Sequence, residues 1–252
     1  MALARPESYG AALVTAALAA VLCLAARRRR GPWTTIVARL MAIGLVVNLV
    51  VWQVVVVRGG TWNASADLMF DLCPLANVVT AVALWTRRPL LVELSYFWTC
   101  AGTIQGILQP DPRWTFPTYF WLQFYIDHSG AVVAALFLVV GLGQKPRVHA
   151  VPRVFAFTVA FAAMAAVVDL YSGGNYLFLR DKGPAGTLLD LMGPWPWYIA
   201  SGAAIALVLL FALDTPFRLA RRREGRSVEA AGVAAPPRLA GHGAGRRAHA
   251  GR

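Results

Sequence analysis

The sequence predicts an all-α membrane protein. It reads as a polytopic bundle of seven transmembrane helices, with the N-terminus outside and the C-terminus cytoplasmic. Three observations predict this. Hydrophobic residues make up 58% of the chain and charged residues 14%, against about a quarter charged in a typical soluble domain. Seven apolar runs are each long enough to cross about 30 Å of hydrocarbon. The basic residues alternate between loops as the positive-inside rule requires. The net charge of +12 sits in loops and tail instead of on one soluble face. Nucleic acid is therefore not an expected partner.

The runs fall at 8–26, 35–57, 67–86, 90–108, 119–143, 153–172 and 195–215. The first is not a cleavable signal. Arg5 and Glu7 precede it and Arg27 to Arg30 follow it, which is the reverse of signal-peptide polarity. Pro74 interrupts the third run and Pro89 borders the fourth. Of the 24 basic residues, all but Arg5, Arg58, Arg113, Arg180 and Lys182 lie in the tail or in loops alternating with the N-terminus. Seven spans place that majority in the cytoplasm, and six would break the alternation. Trp33, Trp52, Trp62, Trp114, Trp195 and Trp197 stand near predicted ends, as an aromatic belt would.

Residues 1–216 read as the transmembrane domain and 217–252 as a disordered, basic, cytoplasmic tail, poor in large apolar residues. Only Lys145 and Lys182 among the basic residues are lysine. With the abundant Ala and Gly, this points to a GC-rich bacterial genome and so to a bacterial inner membrane.

Polar groups at membrane depth are expensive and mark candidate sites. The densest cluster is Asp71-Leu-Cys-Pro-Leu-Ala-Asn77. By topology, Asp71, Cys73, Gln105, Asp127, His128 and Asp169 all fall toward the outer face, with Asn175 just beyond it. A shared outward-opening cavity is the economical expectation. Asp127 and His128 are adjacent, so on a helix they diverge by about 100°. An orienting carboxylate for His128 is therefore expected from Asp71 or Asp169.

If the third helix begins at Pro74, Cys73 occupies its N-cap. A thiol there meets the positive end of the helix dipole, which favours thiolate. A nearby histidine then serves as general base. His128 is the only histidine inside the apolar zone. Cys23 and Cys100 lack such a neighbourhood and read as packing residues.

Retinal chemistry needs an intramembrane lysine, and no span contains one. Zinc chemistry usually needs several histidines. With one, Asp71 and Asp169 would have to complete the site. No cofactor and no metal is expected.

Several stretches resemble the YwaF-like bacterial integral membrane proteins, a family similar to animal transmembrane protein 164. They are Leu72-Cys-Pro-Leu75, Glu93-Leu-Ser-Tyr-Phe-Trp98, Gln109-Pro-Asp111 with Phe116-Pro117, Asp127-His128, Asn175-Tyr-Leu-Phe-Leu179, and Leu188-Leu-Asp-Leu-Met-Gly-Pro-Trp-Pro-Trp-Tyr198. The resemblance covers about residues 35–215, and the Gly-Pro-Trp-Pro-Trp block is the most specific. It implies a phospholipid acyltransferase that uses a membrane cysteine with a histidine. Those roles map to Cys73 and His128, and the partners to phospholipid and lysophospholipid. Many relatives carry a histidine two residues before the cysteine, where this chain has Asp71. The resemblance also implies that Asn175 to Leu179 close over the cavity.

Two functional readings follow. In one, Cys73 and His128 transfer an acyl group, Asp71 or Asp169 orients His128, and Gln105 and Asn175 help bind the head group. In the other, a seven-span binding or transport protein holds a polar solute or head group, with Asp71, Asp127 and Asp169 in charge and no covalent step. A polar network that serves only as scaffold is the third reading. Oligomeric state is not legible.

Overall fold

A computed structural model describes residues 6–108, 115–183 and 188–234. Among these residues the chain is helical, with no strand. The helices are α1 (Pro6–Arg28), α2 (Pro32–Arg58), α3 (Leu72–Thr86), α4 (Pro89–Trp98), α5 (Ile104–Leu108), α6 (Tyr119–Leu136), α7 (Ala150–Ser172) and α8 (Trp197–Ala234). A π-helical turn, Thr99–Thr103, joins α4 to α5, and another, Phe137–Gly141, extends α6. Residues to Thr215 form one unit and those from Pro216 a second. The motif residues Gln109 and Asp111, the belt residue Trp114, and 235–252 of the expected tail lie outside the described residues.

Among the described residues, five helices are long and apolar enough to cross a membrane: Ser8–Arg28, Pro32–Arg58, Tyr119–Gly141, Ala150–Ser172 and Trp197–Arg226. Their outward faces carry Leu13, Val14, Val47, Val54, Val167 and Val208, all exposed. Helices apolar on every side have no water-facing stripe. Such faces suit hydrocarbon, where the helix satisfies its own backbone.

α6 is the central element. Of its most apolar stretch 67% is buried, against 22% or less for the other four. Ala131, Ala134 and Ala135 are fully buried and let neighbouring backbones approach. Gly130 takes the Leu45 side chain of α2. α1, α2, α3 and α4 all pack on α6. Short polar pairs join the helices: Thr15 to Ser129 at 2.8 Å, Thr80 to Ser95 at 2.8 Å, and Trp98 to Thr158 at 2.8 Å. Such pairs act as glue where the hydrophobic effect is silent.

Two boundaries differ from the sequence reading. Residues 67–71 are not helical, although the third run was expected to start at 67. Proline is best tolerated in the first turn, where backbone N–H groups lack intrahelical acceptors. Pro74 therefore starts the helix late, at Leu72, with extended Asp71 (φ −81°, ψ 154°) as N-cap. At the other end, α8 runs through Pro216 to Ala234, where a disordered tail was expected to begin at 217. The segment is rich in Arg, Ala and Glu, which are good helix formers.

Candidate functional site

Most of the candidate residues fall into two hydrogen-bonded groups. The first group lies between α3, α5 and α6. Cys73 is the second residue of α3, so the N-cap expected for it is held by Asp71. The thiol is partly buried. One turn on, Asn77 donates from Nδ2 to the Cys73 carbonyl at 3.0 Å and to Asp127 Oδ2 at 2.9 Å. This amide ties α3 to α6. Asp127 is 6% exposed and Asn77 1%, so the bond is shielded from water and strengthened accordingly.

His128 also faces inward from α6 and is 8% exposed. Its ring stacks on Phe124 with centroids 4.0 Å apart. Its Nδ1 lies 2.8 Å from the Phe124 carbonyl. A carbonyl only accepts, so Nδ1 carries the proton and Nε2 presents a lone pair. Asp127 Oδ2 is 3.6 Å from Nδ1, beyond hydrogen-bond length, as the divergence of adjacent helical residues requires.

The Nε2 edge of the ring lies against Gly106. A Cβ at that position would stand 2.7 Å from Nε2. Four residues earlier, Gly102 receives Leu72, with Cδ2 only 2.9 Å from where a Cβ would be. The Gly102-x-x-x-Gly106 spacing thus seats α3 and α6 on one helix. Between them, Thr103 is fully buried, and its hydroxyl lies near the Cys73 thiol without completing a hydrogen bond to it. Thr103 Oγ1 and Asn77 Oδ1 in this group, like Asp169 Oδ2 elsewhere, are buried atoms without a hydrogen-bond partner among the described residues.

The second group is a clasp of connecting segments. Asp169 Oδ1 accepts from the Tyr176 amide at 2.9 Å, and Asp71 Oδ1 from the Leu177 amide at 3.1 Å. Neither carboxylate bonds to His128, so the orienting role expected of them is not observed. Asn175 is fully engaged: Nδ2 donates to Asp181, and Oδ1 accepts from the Arg180 and Asp181 amides. Its polar atoms shape the loop and leave nothing spare for a head group. Gln105 is exposed on α5 and bonds to no other candidate. The clasp closes further through Tyr176, whose hydroxyl accepts from the Leu68 amide and donates to the Ala64 carbonyl, each at 2.9 Å. Gln53 donates to the Asp67 carbonyl at 2.9 Å. Trp195 and Tyr198 tie the start of α8 to the Leu179 and Phe178 carbonyls.

At the opposite end of the bundle stands a residue to which the sequence reading gave no role. Glu93 is fully buried in α4. Its carboxylate accepts from Arg147 Nε at 2.9 Å and Nη2 at 3.1 Å, from the Arg147 amide at 3.0 Å, and from Arg153 Nη2 at 2.9 Å. Glu93 in turn holds the Arg147 guanidinium above its ordinary pKa. An acid inside an apolar run was the available signal. For Thr103 and Gly106 the signal was the small-residue spacing from Gly102.

The profile of the TMEM164 family matches residues 4–214. The chain belongs to the TMEM164 family. Together with the apolar helices, membership establishes a helical protein of membrane character. An uncharacterized protein of Treponema pallidum (strain Nichols) is 26% identical over 160 residues, which is 64% of this chain and 65% of that relative. The chain thus aligns with just under two thirds of that relative's length. No solved structure matches. The TMEM164-matched region contains both groups of polar residues and the Glu93 cluster.

Proposed function

We propose that this TMEM164-family chain is a phospholipid acyltransferase of the bacterial inner membrane, with Cys73 as nucleophile and His128 as general base. The observation that carries the reading is the geometry of His128. Its Nδ1 is committed to the Phe124 carbonyl, which leaves Nε2 as a lone pair beside the helix that also flanks Cys73. That is the tautomer a base needs.

The reaction is written in two steps. Cys73 Sγ attacks the carbonyl carbon of a phospholipid ester as Nε2 takes the thiol proton. The C–S bond forms, the ester C–O bond breaks, and the proton passes from Nε2 to the departing lysophospholipid oxygen. A second lysophospholipid hydroxyl then attacks the thioester. Its proton passes through Nε2 to the sulfur, and the free thiol and a new ester result. Asp127 is the carboxylate nearest the imidazole and supports it electrostatically.

The reading places seven crossings in the membrane, with the N-terminus outside and the site toward the outer leaflet. α3 has 15 residues, about 22 Å at 1.5 Å per residue, short of the usual span. The preceding segment 61–71 makes up the depth. Irregular backbone is tolerated there only when protein satisfies it. Gln53, Tyr176 and Asp169 belong to the network that does so.

The test is intact-protein mass spectrometry after incubation with phospholipid vesicles. An acyl-sized mass gain on the wild type, absent from Cys73→Ala and released by hydroxylamine, is the expected result. No adduct on the wild type overturns the acyltransferase reading. A second reading, a binding or transport protein, draws support from the buried Asp169 Oδ2, which has no hydrogen-bond partner among the described residues. It requires that Cys73→Ala retain ligand binding while Asp169→Asn loses it.

A further inference from the structure

The π-helical turn Thr99–Thr103 raises a question that the Cys–His pair leaves open. π turns interrupt the regular ladder and are frequent at functional sites. This one ends on Thr103, and α3 and α6 both pack against it. Thr103 is fully buried, yet its hydroxyl oxygen has no hydrogen-bond partner. Elsewhere in the bundle buried hydroxyls are satisfied. Thr99, on the same turn, bonds to the Ser95 carbonyl at 2.8 Å, and Thr80 pairs with Ser95 at 2.8 Å. Leaving a buried polar group unmatched is unfavourable. A hydroxyl kept unmatched beside a candidate nucleophile is suited to a partner that arrives with the substrate.

Placement adds to this. Leu72, next to Cys73, presses on Gly102, next to Thr103. His128 presses on Gly106, three residues on. Residues at i and i+3 share a helix face, so Thr103 lies on the side that Gly106 turns to His128, and its hydroxyl lies near the Cys73 thiol. Asn77 Oδ1, the other unmatched atom of this group, only accepts. Of the two, the Thr103 hydroxyl is the one that donates.

We propose that Thr103 is a catalytic residue whose Oγ1–H donates a hydrogen bond to the carbonyl oxygen of the acyl group. It strengthens that bond as the oxygen gains negative charge in attack by Cys73. The proposal rests on the acyltransferase reading. As Sγ bonds to the carbonyl carbon, the π electrons move onto oxygen, and Thr103 stabilises them. When the ester or thioester bond breaks, the C=O bond re-forms and the threonine keeps its proton throughout.

The experiment follows thioester formation on the full-length protein in phosphatidylcholine vesicles, by intact mass against time. It compares the wild type with Thr103→Val, Thr103→Ser and Cys73→Ala. Thr103→Val should slow acylation about 100- to 1,000-fold, as loss of one oxyanion donor does. Its half-saturating lipid concentration should stay within a few-fold. Thr103→Ser should recover most of the rate. Alkylation of Cys73 by iodoacetamide, a displacement with no carbonyl oxyanion, should proceed equally in wild type and valine variant. If the valine variant acylates at the wild-type rate, or if alkylation falls in parallel with acylation, the assignment of Thr103 is overturned while Cys73 chemistry stands. If the wild type forms no hydroxylamine-sensitive adduct, the acyltransferase reading itself falls, and this assignment with it. Should valine disturb folding, Thr103→Ala, which only removes atoms, gives the same comparison.

Discussion

His128 is held from behind by Phe124, one turn earlier on the same helix. The Phe124 carbonyl accepts from Nδ1 at 2.8 Å, and the two rings stack at 4.0 Å. Asparagine at position 128 retains an amide donor in place of Nδ1–H but has no lone pair where Nε2 stood. His128→Asn should therefore fold and lose roughly 100- to 10,000-fold in acyl transfer, the usual worth of a general base. Thermal unfolding in detergent checks the first half and transfer to lysophospholipid the second. An asparagine variant that transfers at the normal rate would remove His128 from the mechanism.

Gly106 sets the room for that imidazole. A methyl group there would stand 2.7 Å from Nε2, so the ring or the helix must move. Overpacking of this kind costs about 1–3 kcal/mol. Gly106→Ala should lower transfer as far as His128→Asn does. Gly102→Ala, which meets only the flexible end of Leu72, should be milder. Equal activity of the Gly106 variant and the wild type would show that the ring position is not critical.

The existence of the helices was legible from the apolar runs, because a run of that length has few alternatives. Their faces were not. A helix apolar on all sides carries no amphipathic stripe, so nothing in the sequence showed that Thr103 and Gly106 face inward while Gln105 faces out. Asp71, Asp169 and Asn175 looked like site residues because they are polar and near membrane depth. They also bond within the connecting segments, since short polar side chains bond readily to nearby backbone amides. Cys73, Asp127 and His128 were singled out by residue type, and the structure brings Asp127 and His128 into the buried cluster beside α3. Gly102 and Gly106 were readable as a small-residue spacing, but only a partner helix gives that spacing a meaning.

Tyr176 joins the two connections at one end of the bundle through a single oxygen. It is 2% exposed and serves both the Leu68 amide and the Ala64 carbonyl. Tyr176→Phe removes both bonds and leaves a backbone N–H unmatched. The expected loss is about 1–3 kcal/mol of stability, with faster proteolysis between 61 and 70. Limited proteolysis alongside a melting curve reads both effects. A variant as protease-resistant as the wild type would place the strength of the clasp elsewhere.

The proposed orientation is testable without mutagenesis, because Lys145 and Lys182 are the only lysines. Seven spans with an outer N-terminus put Lys182 outside and Lys145 inside. In right-side-out membrane vesicles a membrane-impermeant amine reagent should mark Lys182 and spare Lys145, and permeabilisation should expose Lys145. Peptide mass spectrometry reads the outcome directly. The reverse pattern inverts the protein, and labelling of both in sealed vesicles removes the odd number of spans.

Glu93 and its two arginines test which partner the fold depends on. The carboxylate is fully buried, whereas the Arg147 and Arg153 side chains are 49% and 35% exposed. Replacing Glu93 by Gln removes the buried charge and lets both guanidinium groups return to water. That should cost about 1–3 kcal/mol, the scale of lost hydrogen bonds at a buried group. Replacing both arginines by Met leaves the carboxylate buried and unpaired, and a stranded buried charge costs about 3–5 kcal/mol. The double arginine variant should therefore melt below Glu93→Gln. Restoring Glu93→Gln in the arginine-less background should recover stability, because it removes the stranded charge. If the triple variant melts no higher than the double, burial of the carboxylate is not what the arginines offset.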